Sequence, residues 1–289
     1  MSTTALVHTI ARRRRRFSGL SILKVLGTLV LLVATVFPLY WMINISLIPE
    51  KEVFSETIHY IPPWSIISLE TYRQVLANYP VLRYILNSFI ICLLATVITL
   101  AFSFSMAYYL AKFQFRFKRF FFYFIIWSLS LPWVVYVLPI FRIVDMLKLL
   151  DTHILMILLY GFSGIPLFAW FALPYVQEFP DEMIDAARID GASELSILWR
   201  IVRPGLRNVV IALFLIRFIF AYNDLLYSLI FTVNRAKMII PSILDMPTQY
   251  SVPFARMSAG SAISVAPIII LVLVFQRYIV SGLTGRTLK

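Results

Sequence analysis

Five runs without a single charged residue constrain this chain more than any other feature: residues 25–49, 84–111, 120–141, 152–177 and 257–276, each 20 residues or longer. About 20 residues of α-helix rise far enough to cross the hydrocarbon of a bilayer with every backbone group bonded internally. A sixth segment, 208–234, is equally apolar but carries Arg217 and Asp224. The sequence therefore predicts an all-α membrane protein of six transmembrane helices. Composition agrees: 61% of the 289 residues are hydrophobic and 14% charged, and the mean hydropathy is +0.86. A soluble enzyme carries nearer 25% charged residues, and a disordered chain needs low hydrophobicity; both are excluded.

The net charge of +12 would suggest nucleic acid in a soluble protein. In a membrane protein it follows from the gathering of Lys and Arg in cytoplasmic loops, so no nucleic-acid partner is expected. With the N-terminus inside, 17 basic residues lie on the inner side and eight outside (Lys51, Arg73, Arg83, Arg142, Lys148, Arg235, Lys237, Arg256). This bias places both termini in the cytoplasm. Arg12–Arg16 fit a patch that meets anionic headgroups. The run after them is longer than a secretory h-region and ends without a small-x-small site, so 25–49 is expected to be a retained anchor. Cys92, the one cysteine, lies in an apolar run, and His8, His59 and His153 are scattered; no metal site is expected. The outer segment 50–83, with Pro62, Pro63 and Trp64 and a helical pattern near Leu69–Leu76, is either a lid on the bundle or a landing surface for an external partner. The aromatic crowd from Phe113 to Trp127, interleaved with Lys112, Arg116, Lys118 and Arg119, reads as an interfacial belt.

The loop between the fourth and fifth spans carries the most information. Pro180 suits the start of a helix, with Asp181 and Glu182 beside its positive end. That helix runs to about Ile189, Gly191 turns the chain, Ser193 caps a second helix and Pro204 stops it. The product is a helix–turn–helix at the membrane surface, with Met183, Ile184 and Ala187 on its apolar face. Ala186 and Ala187 would let another surface approach, and Asp185 and Asp190 offer charge to a basic partner. On physical grounds alone, a partner-docking hairpin and a plain connector between spans remain equally open.

The wording Asp185-Ala186-Ala187-Arg188-Ile189-Asp190-Gly191-Ala192, followed by Ile201-Val202-Arg203-Pro204, resembles the "EAA" loop of permease subunits of binding-protein-dependent ABC importers. Tyr222-Asn223-Asp224 and Gly282-Leu283-Thr284-Gly285 are similar to the carbohydrate-uptake branch, in particular the maltose-type second permease. The likeness covers roughly residues 80–289. Asp185 stands where the family has glutamate, and Arg203 where it usually has leucine.

The resemblance implies a type I importer permease fold: a basic N-terminus (1–24), a first helix (25–49), an external loop (50–83), a transmembrane core (84–282) with a coupling loop at 178–205, and a cytoplasmic tail (283–289). It further implies a prokaryotic inner-membrane location and three partners: a second homologous permease, a cytoplasmic ABC ATPase dimer and an external solute-binding protein. Asp185, Ala186, Ala187, Asp190, Gly191 and Pro204 are then the ATPase-coupling residues, with Asp185 pairing a cation of the ATPase. The chain has no GxxxxGK[ST], since none of its seven lysines follows a glycine. Cofactors are therefore absent from this chain, with Mg-ATP in the partner ATPase.

Arg217 and Asp224, seven residues apart, would share one face of a continuous fifth helix, about 10 Å apart along its axis. A charge at mid-bilayer costs roughly 2.5–3.5 kcal/mol on insertion scales, so such residues face protein or a wet cavity. Either Arg217, Asn223 and Asp224 border the pathway of a sugar, or Arg217 and Asp224 lock the helix to a neighbour. Glycerol-phosphate-like cargo is the alternative. An ion-coupled carrier would show repeats and paired intramembrane acids, and a membrane-embedded enzyme a cluster of catalytic groups; neither pattern is present.

Overall fold

The computed structural model describes residues 19–55, 57–132, 134–246 and 252–283. The arginine run at 12–16 and the tail from Thr284 lie outside the described residues. Among those described, every regular element is a helix: α1 (Gly19–Ser46), α2 (Glu50–Val53), α3 (Glu70–Asn78), α4 (Val81–Lys112), α5 (Lys118–Ser130), α6 (Val134–Met146), α7 (His153–Ser163) and α8 (Ile165–Gln177). The chain continues with α9 (Asp181–Ile189), α10 (Glu194–Ile197), a π-helical turn (Leu198–Val202) and α11 (Arg203–Gly205). It ends with α12 (Arg207–Tyr222), α13 (Leu226–Phe231), α14 (Ile239–Ile243) and α15 (Phe254–Leu283).

Three helices, α1, α4 and α15, are each long and apolar enough to cross a membrane. Three further spans arise if each bent pair counts as one: α5 with α6 (93°), α7 with α8 (43°), and the segment Glu194–Gly205 with α12 (87°). The run 120–141 is therefore not one straight helix. Neither is 208–234: α12 ends at Tyr222 and α13 begins at Leu226, so Arg217 and Asp224 do not share the face of a continuous helix. The adjacent Asn223 and Asp224 supply the break, because Asp and Asn side chains bond to nearby backbone amides in non-helical turns, as Asp224 does with the Tyr227 amide.

The long central helix α4 organises the fold, packing against α7, α8 and α12. One buried cluster forms on its N-terminal half from Tyr84, Ile91, Met156, Tyr160, Phe218 and Tyr222. A second forms on its C-terminal half from Phe104, Tyr108, Phe168, Leu198 and Leu213, and this one includes Ile184, Ala187 and Ile197 of the 178–205 loop. That loop is thus continuous with the core of the bundle. By contrast α1 turns Val30 (66% exposed) and Leu31 (69%) outward, which only an apolar solvent tolerates. The belt residues Phe120, Tyr123, Phe124 and Trp127 also face outward.

The outer segment folds back on the bundle. Asn44 donates to the carbonyls of His59 and Tyr60, and Ser46 bonds Tyr72 at 2.6 Å. The Glu50 carboxylate accepts from the amides of Ala255 and Arg256 at 3.3 and 3.4 Å, where the helix dipole favours an anion. Asp151, at φ +56°, accepts from the amides of Val233, Asn234, Arg235 and Ala236. Burial raises its carboxyl, but these four N–H groups outweigh burial and hold it below the usual carboxylate range.

Candidate functional site

The 178–205 loop forms a hairpin bolted to the end of α4. The Lys112 ammonium, with its side chain only 7% exposed, donates to Asp181 Oδ1 (2.7 Å) and to the carbonyls of Phe179 (2.7 Å) and Gln177 (3.2 Å). It thereby clamps the corner between α8 and α9. Gly191 sits at φ +80° with open space around it; its conformation rather than crowding requires glycine. The amides of Gly191 and Ala192 close the turn on the carbonyls of Arg188 and Ala187, both at 3.0 Å. Ser193 caps α10 by accepting from the Ser196 amide.

Across the turn, Arg188 donates to Asp185 at 2.8 Å and to Glu194 at 2.7 and 3.3 Å. Tyr108 of α4 donates to the same Glu194 carboxylate at 2.6 Å. The Arg188 hydrogen bonds hold Glu194 below the usual carboxylate range, against a smaller raising effect of burial. The sequence reading missed Tyr108, Lys112, Arg188 and Glu194. Arg188 and Glu194 are six residues apart across a turn, and Tyr108 lies 86 positions before its acceptor; no local spacing encodes either contact.

The residues that the sequence suggested for docking divide between the two faces of the hairpin. Ile184 (1% exposed) and Ala187 (7%) point into the bundle, while Met183 (50%) and Ile189 (87%) point out. Asp185, Ala186 and Asp190 are exposed. The Asp185 carboxylate is held by Arg188 within the chain. Pro204 does not stop the second helix. The helical segment from Glu194 continues through Pro204 and ends at Gly205, where the chain turns. Arg203 stacks over Trp199, 4.5 Å from the ring centroid.

A second polar group lies inside the bundle. Arg217 is 5% exposed and donates to Thr99 Oγ1 at 3.2 Å and to the Tyr160 carbonyl. Thr99 in turn donates to the Gly161 carbonyl at 2.7 Å. These carbonyls belong to the end of α7, where the bend into α8 removes helical partners, so Arg217 and Thr99 cap a broken helix. Gly164 admits the guanidinium: a Cβ there would lie 2.4 Å from Arg217 Nε and 3.0 Å from Thr99 Cγ2. Asp224, half-buried, accepts from the Tyr160 hydroxyl at 2.8 Å and from the Tyr227 amide at 3.0 Å, capping the start of α13. Asn223 is exposed beside it. Tyr160 thus joins the two charged residues, its carbonyl to Arg217 and its hydroxyl to Asp224.

A bundle of broken apolar helices with a hairpin fastened at one end has the architecture of a membrane protein. Residues 99–285 match the family model of the binding-protein-dependent transport system inner membrane component, and the chain belongs to that family. It is 29% identical, over 94% of its own length and 95% of the relative's, to the sulfoquinovosyl glycerol transport system permease protein of Agrobacterium fabrum. It is 30% identical, over 93% and 96%, to the trehalose/maltose transport system permease protein of Thermococcus litoralis. Its fold superposes on a chain of a bacterial ABC transporter involved in the import of the acidic polysaccharide alginate, with a TM-score of 0.76 at 20% identity, covering 91% of this chain and 98% of that one. The chain is a non-catalytic, membrane-embedded permease subunit of an ABC importer.

Proposed function

We infer that the chain crosses the inner membrane six times with both termini in the cytoplasm and forms half of the pathway for a sugar or oligosaccharide. It works beside a second, homologous permease. A cytoplasmic ABC ATPase dimer, which holds Mg-ATP, engages residues 178–205, and an external solute-binding protein delivers the cargo. Alternating access follows if closure of the ATPase dimer moves the hairpin and, through it, the spans.

One observation carries the coupling role. The hairpin presents Ala186, Met183 and Ile189 outward, while Lys112 and Tyr108 fasten its base to α4. A force applied to the exposed face therefore reaches the central helix without passing through a loose connector. The carbohydrate cargo is supported by the permeases to which the chain is similar.

The test is affinity purification of the tagged chain in mild detergent, followed by reconstitution. An ATPase, a second permease and a solute-binding protein should co-purify, and the vesicles should take up a sugar only with Mg-ATP inside the ATPase compartment. A chain that purifies alone and transports without ATP would overturn the reading.

A further inference from the structure

A pocket of about 520 Å³ opens at the hairpin end of the bundle, where the chain turns from α4 into α5. Its back wall is fixed. Leu110 of α4 and Leu173 of α8 are buried, and Gln177 at the end of α8 gives its carbonyl to the Lys112 clamp. Its front wall is cationic: Arg116, Lys118 and Arg119 line it, and none of the described lining residues is acidic.

Among the described residues, none of these three cations pairs with a carboxylate. Arg116 rests on the Phe117 ring, 5.7 Å from its centroid. Lys118 gives one N–H to the Phe113 carbonyl at 3.0 Å, which leaves the rest of its ammonium free to donate. Neighbouring like charges repel one another, and a bound anion removes that cost. Lys118 and Arg119 also lie in the first turn of α5, which has no side-chain cap and no acidic residue, so the helix dipole adds to the same field.

The surface beside the pocket decides which anion fits. Phe120, Phe124 and Trp127 run outward along one face of α5, and successive ring centroids in this strip are 6.0 Å apart. Tyr123 lines the pocket and lies one turn from both Phe120 and Trp127, so it joins the cationic wall to the aromatic strip. A free phosphate or a nucleotide has nothing to place on that strip; an acyl chain has.

We propose that this pocket seats the headgroup of an anionic phospholipid, with an acyl chain along the Phe120–Trp127 strip. Basic pockets between membrane helices hold such headgroups. Arg116, Lys118 and Arg119 pair with the phosphate, and the side-chain amides of Gln114 and Gln177 donate to its remaining oxygens. The proposal is independent of the cargo and needs only the membrane-embedded class.

The experiment places the purified importer in phosphatidylcholine vesicles with a trace of phosphatidylglycerol carrying a photoreactive acyl chain, and maps adducts by peptide mass spectrometry. Adducts should concentrate on residues 118–130. Plain phosphatidylglycerol in excess should remove most of them, whereas inorganic phosphate should leave the yield unchanged. The same photoreactive chain on phosphatidylcholine should label this segment far less. Arg116→Gln combined with Arg119→Gln should cut the yield at least about tenfold, given roughly fivefold for each cation at a charged membrane surface. Arg116→Lys combined with Arg119→Lys should keep most of it.

Equal labelling by the two probes would overturn the proposal, since it marks ordinary lipid around the bundle. Displacement of the probe by inorganic phosphate would overturn it in favour of a soluble anion. Absence of adducts on 118–130 would overturn it and identify the pocket as covered by protein. An unchanged yield in the glutamine variant would also overturn it; if that variant does not assemble, the two probes on the unaltered importer decide the question.

Discussion

Glu194 shows how the 178–205 hairpin is held by single residues. Its carboxylate takes Arg188 from one side of the turn and Tyr108 from the central helix. Its folded-state pKa is depressed, so its stabilising contribution is complete above the unfolded-state value and is lost as pH falls through the folded-state value. Amide protection factors over residues 181–200, which remove the intrinsic pH dependence of exchange, should therefore stay high at neutral pH and fall in that acidic window, and Glu194→Gln should flatten the dependence. Protection factors that do not change with pH would argue that the Arg188–Glu194 pair does not order the turn. Gly191→Pro cannot keep φ +80° and deletes the amide bonded to Arg188. Membrane insertion should persist while ATPase co-purification drops at least about tenfold, equivalent to about 1.4 kcal/mol of docking energy; normal co-purification would count against the hairpin as the docking element.

Between elements, the decisive contacts lie at helix breaks. The end of α7 would present unpaired carbonyls to a low-dielectric interior without Thr99 and Arg217. Gly164→Ala forces a Cβ to within 2.4 Å of Arg217 Nε, and overpacking of this kind costs about 1–3 kcal/mol. Thermal denaturation of the purified complex should register the loss, and shortening the cation through Arg217→Lys in the same chain should partly restore stability. If Gly164→Ala alone leaves the melting temperature unchanged, the guanidinium does not occupy this gap. The Asp151 latch works in the same way outside the bundle. Asp151→Ala strands four amides of the 233–236 turn, and faster proteolysis of that turn is expected, at a cost of about 1–3 kcal/mol. Unaltered cleavage would show that the turn holds its shape without the carboxylate.

For the whole molecule, the outward faces matter as much as the core. Apolar side chains cover α1 and the 120–127 belt, so the chain is stable only where lipid or another subunit covers them. Co-expression with the proposed second permease should raise the yield of monodisperse protein and its melting temperature above those of the chain alone, by mass action on the folded state. Equal stability of the isolated chain would argue against an obligate permease pair.

The apolar runs and the Asp185–Ala192 wording determined the all-helical membrane class and the importer family, because helical periodicity, solvation and a contiguous sequence motif are local properties of the chain. Local rules likewise located α9, the Gly191 turn and the Ser193 cap. They failed where a helix had to break. The apolar run 208–234 has no proline to interrupt it, and only the assembled bundle offers Asp224 a partner in Tyr160 and places Arg217 at the open end of another helix. Only the tertiary structure could bring Ser128, Ser163 and Tyr227 to one pocket, because no sequence spacing relates them.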